Sequence, residues 1–347
     1  MMEELSFKKK VTIMVAVMAT VLFVALNQTI VGTALPMIVA DIGGIHYFNW
    51  VFTIYMLASS VTAILVGKLS DIYGRKRFIL IGLLIFTIGS FLNGISDTIF
   101  QLIAFRAVQG FGAGMIMSTS FTAIGDLFPP RERGRWQGLM GASFGVASVF
   151  GPTLGGYIVD HFEWHWVFWV FLPVGVVAFA LIWRLFPLTE TQEKQRIDFA
   201  GAVCLTFTLV PLLLAFSWAA SVYAWASFPI IGLFMTSAVG LILFIVVEQR
   251  ASAPILPLDL FRNSVFTISN VSGFFMGVGM FGTIMYMPVF IQGVMGVSAT
   301  QTGFIMMVMT LSNVTGSAIC GQLMTLTGKY KRFALFGLFM MASGLAA

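Results

Sequence analysis

The sequence predicts an all-α polytopic membrane protein. Three observations predict it: an apolar composition, uncharged runs of bilayer length, and basic residues confined to alternate loops. Hydrophobic residues make up 59% of the chain and charged residues 10%, against about 25% charged in soluble domains. So few charges cannot build a surface facing water on all sides. A helix rising about 1.5 Å per residue needs about 20 apolar residues to cross about 30 Å of hydrocarbon. Runs at 11–40, 47–67, 78–96, 107–125, 136–159 and, shorter, 166–183 each fit one span. The runs 199–247 and 263–328 are too long for one helix, so each is expected to hold two spans, divided within 217–228 and 292–302. That makes ten complete spans, and 333–347 begins an eleventh, as in a C-terminally truncated chain.

Numbering the loops in order places all but one of the 19 Lys and Arg on the same side. They are Lys8 to Lys10, Lys68, Arg75 to Arg77, Arg131, Arg133, Arg135, Arg184, Lys194, Arg196, Arg250, Arg262, Lys329, Lys331 and Arg332. The opposite loops carry acids and histidines, among them Asp41, His46, Asp97, Asp160, His161, Glu163 and His165. The basic side is the cytoplasmic one by the positive-inside rule, which puts the N-terminus in the cytoplasm and the protein in the cell membrane. The net charge of +5 thus reflects topology, and no nucleic-acid partner is implied. No small-residue cleavage site follows the first apolar run, which reads as a retained helix. Cys204 and Cys320 lie within spans without metal-ligand spacing, so neither a disulfide framework nor a metal site is indicated. Trp164, Trp166 and Trp169 suit an interfacial belt.

One internal similarity stands out. GKLSDIYGRKRF at 67–78 resembles GQLMTLTGKYKRF at 321–333, each a turn with two glycines seven residues apart followed by basic residues. Repeated halves of this kind are a transporter signature. Four segments then carry a specific resemblance: LNQTIVGTALP at 26–36, the 67–77 turn, RAVQGFGAG at 106–114 and GPTLGG at 151–156. Together they resemble the fourteen-helix drug:proton antiporters of the major facilitator superfamily, across the whole chain. The resemblance implies two six-helix halves plus two central helices. The expected boundaries are an N-terminal half at 1–187, a central insert at 188–250 and the start of the C-terminal half at 251–347.

Arg106 is the sole basic residue inside a span; at the bilayer centre such a charge costs about 2.5–3.5 kcal/mol on insertion scales. It is expected to reach a cavity and to bond the Asn27/Gln28 region, with Gln109 and the glycine face allowing close helix approach. Snorkelling to the interface is the alternative. The resembled family usually carries an acid where this chain has Asn27, and an amide cannot titrate. No acid lies well inside any span; Asp126, at the inner end of span four, joins Arg106, Asn27, Gln28 and Gln109 as a transport or coupling candidate. Asp41 and Asp198 also lie just at span ends.

In the 67–77 turn, Gly74 suits a positive φ and Asp71 could meet a helix N-terminus. By resemblance, Gly67, Asp71, Gly74, Arg75 and Arg77 form a cytoplasmic gate; a topogenic basic turn with an acidic cap is the alternative. The second copy has Thr325 in place of Asp71, which would make the gate one-sided. Gly151, Pro152, Gly155 and Gly156 permit close packing and a kink; by resemblance they are the antiporter motif, and ordinary small-residue packing explains them equally well. Phe281, Met285 and Tyr286 are possible substrate contacts, since Met and aromatic side chains adapt to varied apolar ligands, although such residues in a span commonly face lipid.

The resemblance implies proton-coupled export of amphipathic compounds by alternating access, by a monomer in the lipid bilayer with small molecules and protons as partners. No cofactor is expected, and the absence of a Gly-x-x-x-x-Gly-Lys-Ser/Thr loop speaks against ATP hydrolysis. A metabolite exporter of amino acids or peptides, or a transport-incompetent fragment or sensor, are the alternatives. Without clustered His, Cys or carboxylates in the spans, an enzyme is not expected.

Overall fold

The computed structural model describes residues 6–187, 198–219, 222–251, 254–296, 299–328 and 330–346. Twelve α-helices run in order: α1 (Phe7–Ile42), α2 (Phe48–Tyr73), α3 (Arg75–Asn93), α4 (Ile99–Leu127), α5 (Pro130–His161), α6 (Trp166–Trp169), α7 (Leu172–Leu185), α8 (Phe199–Trp218), α9 (Phe228–Arg250), α10 (Ser264–Gly293), α11 (Ala299–Thr327) and α12 (Tyr330–Ala346). Short 3-10 turns at Ile45–Tyr47 and Leu258–Arg262 precede α2 and α10. Among the described residues the only β feature is an isolated bridge between Ala219 and Tyr223. Helices dominate because a chain in hydrocarbon must satisfy every backbone N–H and C=O within its own segment or a closed barrel. Among the described residues, eight segments are long and apolar enough to cross a membrane: α1, α2 with the turn before it, α3 to α5, α8, α9, and α6 with α7 taken together. The two longest apolar runs are divided where α8 ends at Trp218 and α9 begins at Phe228, and where α10 ends at Gly293 and α11 begins at Ala299.

The chain forms two compact units. The first comprises 1–127 and 150–257. Its centre is α4, packed along its length against α2 on one side and α3 on the other. Glycine spacing makes this possible. A Cβ on Gly110 would stand 2.6 Å from the Tyr55 carbonyl oxygen of α2, and one on Gly114 would collide with that of Ser59. Gly112, pointing the other way, lies against the Phe86 backbone of α3. Two glycines four residues apart thus serve one neighbour and the glycine between them serves the other, as helical periodicity requires. Helices α1 and α3 also pack on α7, and α8 pairs with α9. The α8–α9 pair is tightened by Gly240 against the Phe207 carbonyl and by the Ser237 hydroxyl donating to the Thr208 carbonyl at 2.8 Å. Helix α2 meets α8 through the Thr53–Ser217 hydroxyl pair and the Trp50–Trp218 ring contact.

The second unit comprises 128–149 and 258–347. Trp136 stacks on Phe128 with ring centroids 4.5 Å apart, and Arg133 Nε donates to the Phe128 carbonyl, fixing the start of α5. Gly321 of α11 approaches that segment so closely that a Cβ there would stand 2.9 Å from the Gly134 carbonyl oxygen.

Candidate functional site

The buried polar cluster of the first unit is built on Arg106, which has no solvent exposure although arginine is among the largest side chains. Its Nη1 donates to Gln109 Oε1 at 2.7 Å and to Asn27 Oδ1 at 3.4 Å, and its Nε donates to the Val51 carbonyl at 3.3 Å. The guanidinium lies over the Tyr55 ring, 4.1 Å from its centroid. Gln109 sits one turn beyond Arg106 on α4, so both side chains reach the α1–α3 seam from one face.

Donor and acceptor roles then propagate outward. A guanidinium only donates, so Asn27 and Gln109 must turn their carbonyl oxygens toward it. Gln109 Nε2 donates to Asn27 Oδ1 at 3.0 Å, and Asn93 Nδ2 donates to Gln109 Oε1 at 3.0 Å and to the Gly89 carbonyl at 2.7 Å. Asn27 Nδ2 donates to Ser90 Oγ at 3.2 Å, and Ser90 passes its own hydrogen to the Phe168 carbonyl at 2.8 Å. Phe168 lies two residues before the break between α6 and α7. Asn27, Gln109, Asn93 and Ser90 are as fully buried as Arg106. Their atoms are all neutral acceptors or donors.

The turn between α2 and α3 holds a second cluster. Gly74 connects the helices at φ 93°, a backbone that other residues adopt only under strain. Arg75 Nη2 pairs with Asp71 at 2.7 Å and donates to Asp126 Oδ1 at 3.3 Å, and its Nε bonds Asp126 Oδ2. One guanidinium therefore ties the α2–α3 turn to the end of α4.

Residues 17–347 match the family profile described as Major Facilitator Superfamily. The chain belongs to the Major Facilitator Superfamily. It is 42% identical to the Multidrug transporter protein MdtP of Bacillus subtilis over 336 residues, which is 97% of this chain and 62% of that protein. It is 43% identical to Multidrug resistance protein 3 of Bacillus subtilis over 305 residues, 88% of this chain and 60% of that protein. The chain thus spans about three fifths of these relatives. The crystal structure of the human organic anion transporter MFSD10 superposes with a TM-score of 0.62 at 17% identity, covering 89% of this chain and 71% of that one. It has the major facilitator fold, and this chain is a multi-pass membrane protein of a family of transporters.

Against that family background, the structure groups the sequence candidates differently from the sequence. Arg106, Asn27 and Gln109 come together. Gln28 does not join them: its side chain points toward Met56, with Nε2 3.9 Å from the sulfur. Asp126 stands about 20 residues, or ~30 Å of helical rise, beyond Arg106 and belongs with Arg75. Asp71, placed by the sequence at the N-terminus of another helix, instead pairs within its own turn. A Gly67 Cβ would only touch Ser118 Oγ at 3.4 Å, and Arg77 is exposed. Gly151 and Gly155 lie against Thr29, Ile30 and Thr33 of α1; a Cβ on Gly156 would meet nothing within 4 Å, and Pro152 is exposed inside α5. Phe281, Met285 and Tyr286 fall on α10, outside the residues whose side chains are described.

Several members were missed in the sequence. Asn93 and Ser90 sit three residues apart in an apolar run, a spacing that marks one helix face. Glu248 is 4% exposed near the end of α9; it accepts the Leu256 backbone N–H and faces Asp198, whose Oδ1 caps α8 at Gly201 N, 2.8 Å away. An acid close to the end of an apolar run was its available signal.

Proposed function

We propose that the protein is a secondary-active exporter of amphipathic drugs or toxic compounds, working by alternating access and driven by the proton gradient. The observation that carries this reading is the identity of over 40% with two relatives named for multidrug transport and resistance, along 97% and 88% of the chain. The fourteen-helix subtype, with halves at 1–187 and from 251 and an insert at 188–250, belongs to the same proposal. So do the cytoplasmic N-terminus, the cell-membrane location and the monomeric state. The polar cluster on Arg106 supports it, because a family transporter that buries a cation and four polar side chains in an apolar bundle holds them at a cost that packing alone does not require. Proton exchange would run through a carboxylate elsewhere, since Asn27 does not titrate. Arg75, Asp71 and Asp126 would serve as a gate that parts between conformations. Gly151 and Gly155 would seal α5 against α1, and Phe281, Met285 and Tyr286 would contact substrate.

The test is efflux from cells expressing the whole protein, using fluorescent amphiphiles that are neutral, anionic and cationic, with and without a protonophore. Gradient-dependent efflux of several unrelated compounds is expected. Efflux of none across a broad panel, or efflux indifferent to the gradient, would sink the reading.

A further inference from the structure

We infer that the first unit carries one permanent, uncompensated positive charge at Arg106, and that this charge makes the protein prefer anionic and neutral amphiphiles to cationic ones. The inference rests on the export reading above and adds the ionic class of the cargo.

A guanidinium stays protonated under all physiological conditions. Every group that touches this one is neutral: the amide oxygens of Asn27 and Gln109, the Val51 carbonyl and the Tyr55 ring. Among the described residues Nη2 has no partner at all, although it is buried. Its N–H groups meet no acceptor, so nothing at this nitrogen offsets the charge.

The acids of α1 to α4 and their connections lie too far away to neutralise the charge. Along the helices, Asp41 stands 14 residues from Asn27, Asp71 stands 20 from Val51, and Asp126 stands 20 from Arg106; these are roughly 20 to 30 Å of rise. Asp97 is exposed in the loop before α4, whose first residue, Ile99, stands roughly 10 Å of rise from Arg106, and water screens its charge. Asp41 accepts the Trp164 indole N–H at 2.7 Å, and Asp71 and Asp126 are spent on Arg75. Salt screens a side chain without solvent exposure much less than a surface one.

An amide at position 27 is what leaves the charge standing. A carboxylate of the same size would meet Nη1 from the same backbone position and cancel it. The amide bonds the guanidinium without cancelling it, and the network orients Asn27 so that its oxygen must do this. A cation entering the low-dielectric interior beside such a charge is disfavoured, and an anion favoured, by about tenfold or more at a separation of about 10 Å.

The test uses the intact protein, purified and also reconstituted in liposomes, with two fluorescent probes that share one apolar body, one bearing a sulfonate and the other a quaternary ammonium. Binding is read by thermal shift and transport by flux. For the unmodified protein, the sulfonate probe should bind and move at least about tenfold better than the ammonium probe. Asn27→Asp should level or reverse that ratio. Gln109→Glu, which brings a carboxylate to Nη1 from α4 itself, does the same and covers the case in which Asn27→Asp fails to fold. Equal handling of the two probes, preference for the ammonium, binding of neither, or a ratio unmoved by both variants overturns the inference. If the sulfonate probe binds with the expected ratio but neither probe is moved, the export reading fails and the charge assignment stands.

Discussion

Two arginines anchor the first unit, and they are held in opposite ways. Arg75, its own side chain 14% exposed, is paired at the end of the bundle with two carboxylates that meet water, Asp71 and Asp126, which are 47% and 27% exposed. Arg106 meets no water and is paired with none; its partners are amides, a backbone carbonyl and an aromatic face. At the membrane edge, opposite charges neutralise each other where solvent still screens them. In the interior, the chain spends hydrogen-bond acceptors on the cation and leaves its charge intact. The first arrangement can part cheaply when the surroundings change, because water replaces the lost partner. The second cannot be taken apart without leaving buried polar atoms unpaired.

That contrast can be broken most forcefully at its interior pole. Arg106→Ala takes one donor from each of the Asn27 and Gln109 oxygens and empties the space of a large, fully buried side chain, and the loss of stability is expected at about 3–5 kcal/mol, the range for truncating a large core side chain. Denaturant titration of the purified protein in detergent measures it, and a loss under 1 kcal/mol would show that the cluster is not a structural unit. Gln109→Leu comes next, because it takes the shorter acceptor from Arg106 Nη1 and one acceptor from Asn93 Nδ2; about 2–3 kcal/mol is expected, from one charged and one neutral hydrogen bond. Arg75→Ala should cost only about 1 kcal/mol, because the carboxylates it leaves behind are within reach of water. Its effect should shrink further in 1 M salt, where screening lengths fall to about 3 Å. The same salt series should leave the Arg106→Ala penalty unchanged, and a parallel decline in both would erase the distinction drawn between the two sites. Ser90→Ala is the mildest, at about 1 kcal/mol for one neutral link, read as a small drop in melting temperature.

Much of this contrast was legible in the sequence, and the reason is periodicity. Arg106, Gln109 and the glycines at 110, 112 and 114 lie on one helix, so their shared and opposing faces follow from 3.6 residues per turn. Asn27 was reachable as a polar break in an apolar run. The sequence went astray wherever a partner lies on another helix. Gln28 is adjacent to Asn27 and equally polar, yet the helix turns it toward Met56. Asp126 shares α4 with Arg106, yet helical rise carries it to Arg75. Asn93 and Ser90 give a weak signal alone and become significant only when α3 is laid against α1 and α4.

By itself, then, the sequence determined the membrane class, the helical segments and the isolation of Arg106 within one of them, because each depends on transfer of residues between water and lipid along one chain. Tertiary structure alone decided which neutral groups surround that arginine, that one of its nitrogens stays unpaired, and that the acids nearest in sequence are spent elsewhere. Those outcomes depend on the rotation and depth of one helix against another. Hydrophobicity sets neither, whereas close contact at glycine sets both.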